Sequence, residues 1–177
     1  MATRRRSRRR RTRRERPLIF VTVGYQMAFD RLIEAVDLWA GAHPDTALFA
    51  QIGPSEFEPA NMPYTEFMEP SEFKERVEGC SVLVAHAGMG SILTALQYGK
   101  PILVMPRHAA RNETRNDHQI ATSKQLATRP GIEVAMDESE IAKKLDHLAN
   151  LERPPKISTT ASPELIERLK RFVDTGR

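Results

Sequence analysis

The residues best suited to chemistry lie in one short run, His86-Ala87-Gly88-Met89-Gly90-Ser91. An apolar stretch, Val82–Ala85, leads into it, and helical spacing follows from Gly90. A glycine-rich turn between a strand and a helix lets backbone N–H groups approach an anion, with the helix dipole behind them. Ser91, in the first helical turn, can add its hydroxyl. His86 can donate a ring N–H to a phosphate oxygen. The run is not a dinucleotide fingerprint, because Leu93 stands where a third small residue is needed. It is not a P-loop either, because no Gly-Lys-Ser/Thr follows. Two glycines can also do no more than form a tight strand–helix turn, so this run alone leaves both readings open.

The elements that must position this turn are legible around it. Leu18–Val23 is apolar and β-branched, which suits a buried parallel strand. Phe29–Ala42 places Phe29, Leu32, Ile33, Val36, Trp39 and Ala40 on one helical face, with Asp30 as the expected N-cap. Further strands are expected at Thr46–Ile52, Tyr64–Met68, Ser81–Ala85, Pro101–Pro106 and Ile132–Met136. Helices are expected at Ser71–Val77, Gly90–Tyr98, His118–Thr128, Ser139–Leu151 and Pro163–Val173. Gly99 closes one of them at C′, and Gly131 stops another. Arg107–Asn116 reads as a polar loop. Strands alternating with helices predict an α/β fold, a Rossmann-like parallel sheet with helices on both faces. Ligands then bind beyond the C-terminal ends of the strands, at the loops Gly24–Ala28, Glu69–Pro70, His86–Ser91 and Arg107–Gln119.

Charge separates the chain into a tail and a body. Ten of its 27 basic residues are arginines within residues 1–16, beside one acid, Glu15. The body, 17–177, holds 17 basic and 22 acidic residues, a formal charge of −5. Such a body is not a basic nucleic-acid-binding domain. The arginine block repels itself and is expected to be disordered. It suits an anionic membrane surface, or does nothing; nucleic acid ranks below both. No apolar run approaches the roughly 18–20 residues of a membrane span, and no apolar segment follows the basic start as in a secretory signal. A cytoplasmic protein is expected. The single cysteine, Cys80, follows a helical stretch and reads as a small buried residue rather than a nucleophile.

The run His86–Pro101 resembles the C-terminal, donor-binding domain of family-28 glycosyltransferases, one half of a two-domain GT-B enzyme. Other segments agree. Ile19–Gln26 with Phe29-Asp30 is similar to the family's first strand and loop, Thr65–Glu69 to its base-binding segment, and Asn116–Gln119 to its sugar-reading segment. The likeness extends to the small soluble subunits of bacterial capsule and exopolysaccharide glycosyltransferases and of the eukaryotic dolichol-linked UDP-GlcNAc transferase.

The resemblance implies a UDP-sugar donor, no metal and no further cofactor; the chain has no Asp-x-Asp pair. It implies that Gly24, Tyr25, Gln26, Gly88, Met89, Gly90 and Ser91 surround the diphosphate, with His86 assisting departure of the leaving group. Phe67 and Met68 would pair the uracil through backbone groups, Thr94 would meet the ribose, and Asn116, Asp117 and Gln119 the sugar hydroxyls. There are two departures from the family's pattern. Tyr25 replaces a small hydroxyl residue, and Thr94 replaces a glutamate, for which Gln97 is a possible substitute. The family's general base lies in the acceptor-binding half, so a membrane-associated partner subunit with a lipid-linked acceptor is implied. The C-terminal helix carries Leu165, Ile166, Leu169, Phe172 and Val173 on one face and is expected to pack on its own domain or on that partner. The alternative is a non-catalytic nucleotide-sugar-binding protein of the same fold.

Overall fold

The computed structural model describes residues 18–148 and 151–176. The arginine tail and its boundary at Pro17 lie outside the described residues. Six parallel strands form one sheet: β1 (Leu18–Thr22), β2 (Ala47–Gln51), β3 (Tyr64–Thr65), β4 (Val82–His86), β5 (Ile102–Met105) and β6 (Ile132–Val134). Their order is β3-β2-β1-β4-β5-β6. The expected Rossmann-like sheet is present. Chain direction across the sheet reverses between β1 and β4, whose loops therefore diverge and open a crevice.

Both faces of the sheet are covered, which explains why its strands read as continuous apolar runs. Alternate residues of each strand point to opposite faces. Ile19 and Val21 of β1, Val84 of β4 and Leu103 of β5 pack with helices α1 (Asp30–Ala42) and α5 (Ile141–His147). Phe20, Leu83, Ile102 and Val104 pack on the other face with α2 (Pro70–Gly79) and α3 (Met89–Tyr98). Helix α4 (His118–Leu126) adds Leu126 to that second layer. Cys80 is buried there, its Sγ donating to the Val77 carbonyl, and burial pushes its thiol up to about 11. It is a packing residue, as its setting in the sequence implied.

Several boundaries differ from expectation for local reasons. Asp30 does not cap α1; Phe29 stands at the N-cap, and the Asp30 carboxylate accepts from the Ser55 hydroxyl at 2.7 Å. Strand β3 is only two residues long, because Thr65 turns back to donate its hydroxyl to the Phe67 carbonyl. Residues 107–116 are not simply a polar loop: Ala109–Arg111 form a 3-10 turn, and Arg107 and Glu113 are buried. Gly99 does close α3 in left-handed backbone, at φ 63°; Gly131 is left-handed too, at 78°, but α4 has already ended at Leu126 with Ala127 as its C-cap.

The last helix, α6 (Pro163–Thr175), has the largest surprise. Ser162 caps it, accepting from the Leu165 N–H at 3.2 Å. Its apolar face packs on nothing within the described residues: Leu165, Ile166, Leu169, Phe172 and Val173 are 39–79% exposed. The packing of α6 on its own domain is therefore not observed. A helix that buries no side chain adds nothing to core packing. Ending the chain after residue 160 is expected to leave the thermal midpoint of the body unchanged by circular dichroism.

Candidate active site

The crevice between β1 and β4 holds two adjoining cavities that share Gly24, Tyr25 and His86. One, of about 640 Å³, extends toward Gly88, Thr114, Asn116, His118 and Gln119 and is polar. The other, of about 390 Å³, extends toward Pro70, Phe73, Gly90, Ser91 and Thr94 and is mostly apolar. The sharing residues form the waist of one bipartite cleft.

His86 ends β4, and two glycines make room for its ring. A Cβ on Gly88 would stand 2.3 Å from His86 Nε2, and one on Gly24 would stand 3.3 Å from Cε1. Gly24 also has φ +79°, which few other residues adopt. The glycines are thus required by the imidazole itself as well as by the turn. His86 Nδ1 is buried and bonds to no described protein group. Burial first, and then the Arg107 charge, lower its pKa to about 4. The ring is neutral at pH 7, with one N–H to donate and one nitrogen to accept. Helix α3 begins at Met89, one residue before the expected start, with Gly88 at the N-cap and no side chain capping it. The N–H groups of the first turn, Met89, Gly90 and Ser91, therefore have no intrahelical acceptor and lie next to the waist.

Buried polar residues fix the loops around this waist. Arg107 is 4% exposed and donates to the carbonyls of Val23, Met27 and Glu113 at 2.8–3.0 Å, and to that of Ala28. It does not close over the cleft as a mobile cation would; it staples loop 23–28 to loop 107–116. Burial pulls its pKa down to about 10, opposed by Glu113 and Asp30, so it stays charged at neutral pH. Glu113 takes both Arg31 Nε and Nη2 at 2.9 Å and the His108 N–H at 2.8 Å. Burial would raise its carboxyl; Arg31 and the His108 N–H outweigh that and hold it low. On the other side, Gln51 Nε2 donates to the Gly24 and Glu66 carbonyls, both at 3.0 Å, while its Oε1 accepts from Thr22. Gln51 thereby ties the first loop to the segment 66–68. Sequence reasoning missed Gln51 and the anchoring role of Arg107; the available signal was a polar residue closing an apolar strand in each case.

The residues expected at the site divide into those the cleft gathers and those it does not. Gly24, Tyr25, Gln26, His86, Gly88, Asn116 and Gln119 line the polar lobe; Gly90, Ser91 and Thr94 line the apolar one. Met89 is exposed and Asp117 lies outside both linings, with its carboxylate accepting from the Ala109 N–H at 2.8 Å. Asp117 stands at the N-cap of α4 without capping it through its side chain, and the Asn116 Oδ1 accepts from the His118 N–H. The Gln119 carbonyl is committed to the Arg107 N–H at 3.2 Å. Thr94 donates to the Gly90 carbonyl at 2.8 Å, and Gln97 lies outside the lobe. The Phe67 and Met68 carbonyls already accept from the Thr65 and Tyr25 hydroxyls, leaving one lone pair each. No three His, Cys, Asp or Glu side chains among the described residues converge as metal ligands.

The domain and its fold have counterparts among known proteins. The glycosyltransferase family 28 C-terminal domain matches residues 18–174. The chain belongs to that family. It is 30% identical over 123 residues to the human UDP-N-acetylglucosamine transferase subunit ALG13, an alignment covering 61% of this chain and 10% of that protein. Two solved structures share the fold: the glycotransferase of kitacinnamycin, at 22% identity and TM-score 0.58, and the solution structure of ALG13, at 17% and 0.57. The first covers 91% of this chain but 41% of its own; the second covers 88% and 95%. The family-28 chain is thus a GT-B half-domain, and the resemblance carried by residues 86–101 is established.

Three outcomes follow for this family-28 domain. Gly88→Ala must displace the imidazole, so the His86 resonance observed by NMR should titrate closer to pH 6.5 than to about 4. The unfolded chain takes up the His86 proton near pH 6.5 and the folded one near 4, so the unfolded state binds more protons in between. Urea midpoints should therefore fall as pH drops across that window, and fall less in His86→Asn. Arg107→Lys replaces five fixed donors by three on a point charge and strands buried carbonyls, at a cost of about 3 kcal/mol in urea unfolding.

Proposed function

We propose that this chain is the donor-binding half of a UDP-sugar glycosyltransferase, working with a partner that supplies the acceptor half. The observation that carries the proposal is the bipartite cleft, with His86 and the open first turn of α3 at its waist. An apolar lobe suits a nucleoside, a polar lobe suits a hexose, and a waist of free N–H groups suits the diphosphate between them. The related human protein being a UDP-N-acetylglucosamine transferase subunit supports the donor class.

Transfer builds negative charge on the departing diphosphate. The N–H groups at the start of α3 and a ring N–H of neutral His86 are preorganised to meet it. The acceptor hydroxyl needs a general base, which this reading assigns to the partner. The acceptor is lipid-linked, in surface polysaccharide synthesis, and the partner holds the complex at the cytoplasmic face of the membrane. No described helix is long and apolar enough to cross a membrane. The arginines of residues 1–16 add attraction to anionic headgroups, about 1 kcal/mol each near the surface. The exposed apolar face of α6 is the surface offered to the partner.

Calorimetric titration with UDP tests the first part. Wild type should bind UDP, and His86→Ala should bind it on the order of tenfold more weakly, as expected for loss of one donor to a charged group. Absence of UDP binding by the wild type would sink the proposal. Co-expression with the product of the neighbouring gene tests the second part. The chain ended after residue 160 should keep UDP binding and lose both co-purification and sugar transfer.

A further inference from the structure

Tyr25 and Phe67 are large aromatic residues left about half exposed, at 50% and 46%, beside the cleft. They come from different loops, yet their rings stack nearly parallel, with centroids 5.9 Å apart and planes 16° from each other. That separation is an offset stack, so Phe67 supports the Tyr25 ring without covering it. The Tyr25 hydroxyl donates to the Met68 carbonyl, which fixes the ring's far end. Gln51 holds the two loops in register, bonding the carbonyls of Gly24 and Glu66, the residues that precede each aromatic. Tyr25 lines the apolar lobe and Phe67 does not. The ring is therefore backed on one side, pinned at its tip and open to the cavity.

We propose that Tyr25 is the stacking platform for the donor's nucleobase, with Phe67 as its buttress. This rests on the donor-binding reading above and assigns Tyr25 a role other than diphosphate contact. Its hydroxyl is committed to Met68 and cannot serve a phosphate without releasing the ring. Pro70 and Phe73 also line the lobe, with the Thr22 and Thr94 side chains, and add apolar surface for a flat heterocycle. A ring already immobilised loses little conformational freedom when a base settles on it.

The experiment compares two probes, UDP and inorganic pyrophosphate, by calorimetry on the full chain. Tyr25→Ala is expected to weaken UDP binding about tenfold, within the range found for base–aromatic stacking. Pyrophosphate, which has no base, should bind wild type and Tyr25→Ala equally. Tyr25→Phe keeps the ring and should stay within about threefold of wild type, since only the pin is lost. Phe67→Ala should weaken UDP partway, again without effect on pyrophosphate. Equal UDP binding by wild type and Tyr25→Ala overturns the platform while leaving the donor reading intact. Tighter UDP binding by Tyr25→Ala also overturns it, because the ring would then occupy the base's own space. A parallel loss of pyrophosphate binding returns Tyr25 to the diphosphate. Failure of the wild type to bind UDP removes the donor reading, and the platform with it. Thermal midpoints by circular dichroism should match across the variants, and a lowered midpoint with parallel loss of both probes counts against the platform.

Discussion

The Arg107 guanidinium donates to the carbonyls of Val23, Met27, Ala28 and Glu113, and both halves of the cleft hang on those bonds. Loops at the end of a parallel sheet carry carbonyls that no ladder partner reaches. Buried without a donor, each would cost about 1–3 kcal/mol. A planar fork of five N–H groups can serve several at once, which an ammonium cannot. Glu113 and Asp30 offset the charge this buries. Glu113 gives its backbone carbonyl to Arg107 and its carboxylate to Arg31, and Glu138 sits between Arg31 and Arg111. Arg107 itself lines the polar lobe of the cleft, near where the proposed diphosphate would lie.

Burial, and after it the Arg107 charge, sets the state of the histidine beside it. Burial and Arg107 together keep His86 unprotonated at neutral pH, so the ring contributes a dipole and a directed N–H rather than a second cation. Fixed backbone N–H groups at the start of α3 do the same. Such donors need no reorganisation when charge develops on a leaving group, and in a partly dry crevice they act more strongly than in water. The two glycines belong to this arrangement, because the space of a Cβ on Gly88 is filled by the imidazole. The signature read as a phosphate loop is thus also a socket for His86.

How much of this was legible depends on how local each cause is. The sheet was readable because its central strands β1, β4 and β5 are apolar runs, and Gly99 marks the end of α3 by its left-handed backbone. The turn at 86–91 was readable as a strand–helix turn because it is made of consecutive residues. Gln51 and Arg107 were not, since apart from Glu113 their side-chain partners lie 15 to 84 positions away and only the fold brings them together. Asp30 misled for the same reason: it has cap chemistry, but Ser55 reaches its carboxylate across the fold. Tyr25 stood out as a departure from a family pattern, and only the Phe67 stack and the Met68 bond gave it another occupation.

The cleft also indicates which half of a transfer reaction its residues suit. A base that accepts an acceptor proton works best with a pKa near the working pH. Within the polar lobe, Glu113 is the carboxylate on the lining, and Arg31 with the His108 N–H holds its pKa low. His86, at about 4, is also a weak base. His118 is exposed, with its Nδ1 against the Asn116 side chain. The donors, by contrast, are abundant and converge on the waist. The buried groups of the lobe, Glu113 and His86, are therefore better matched to a departing anion than to an incoming nucleophile. An apolar helix face left uncovered on the same chain fits a protein whose other half of the chemistry arrives on a second surface.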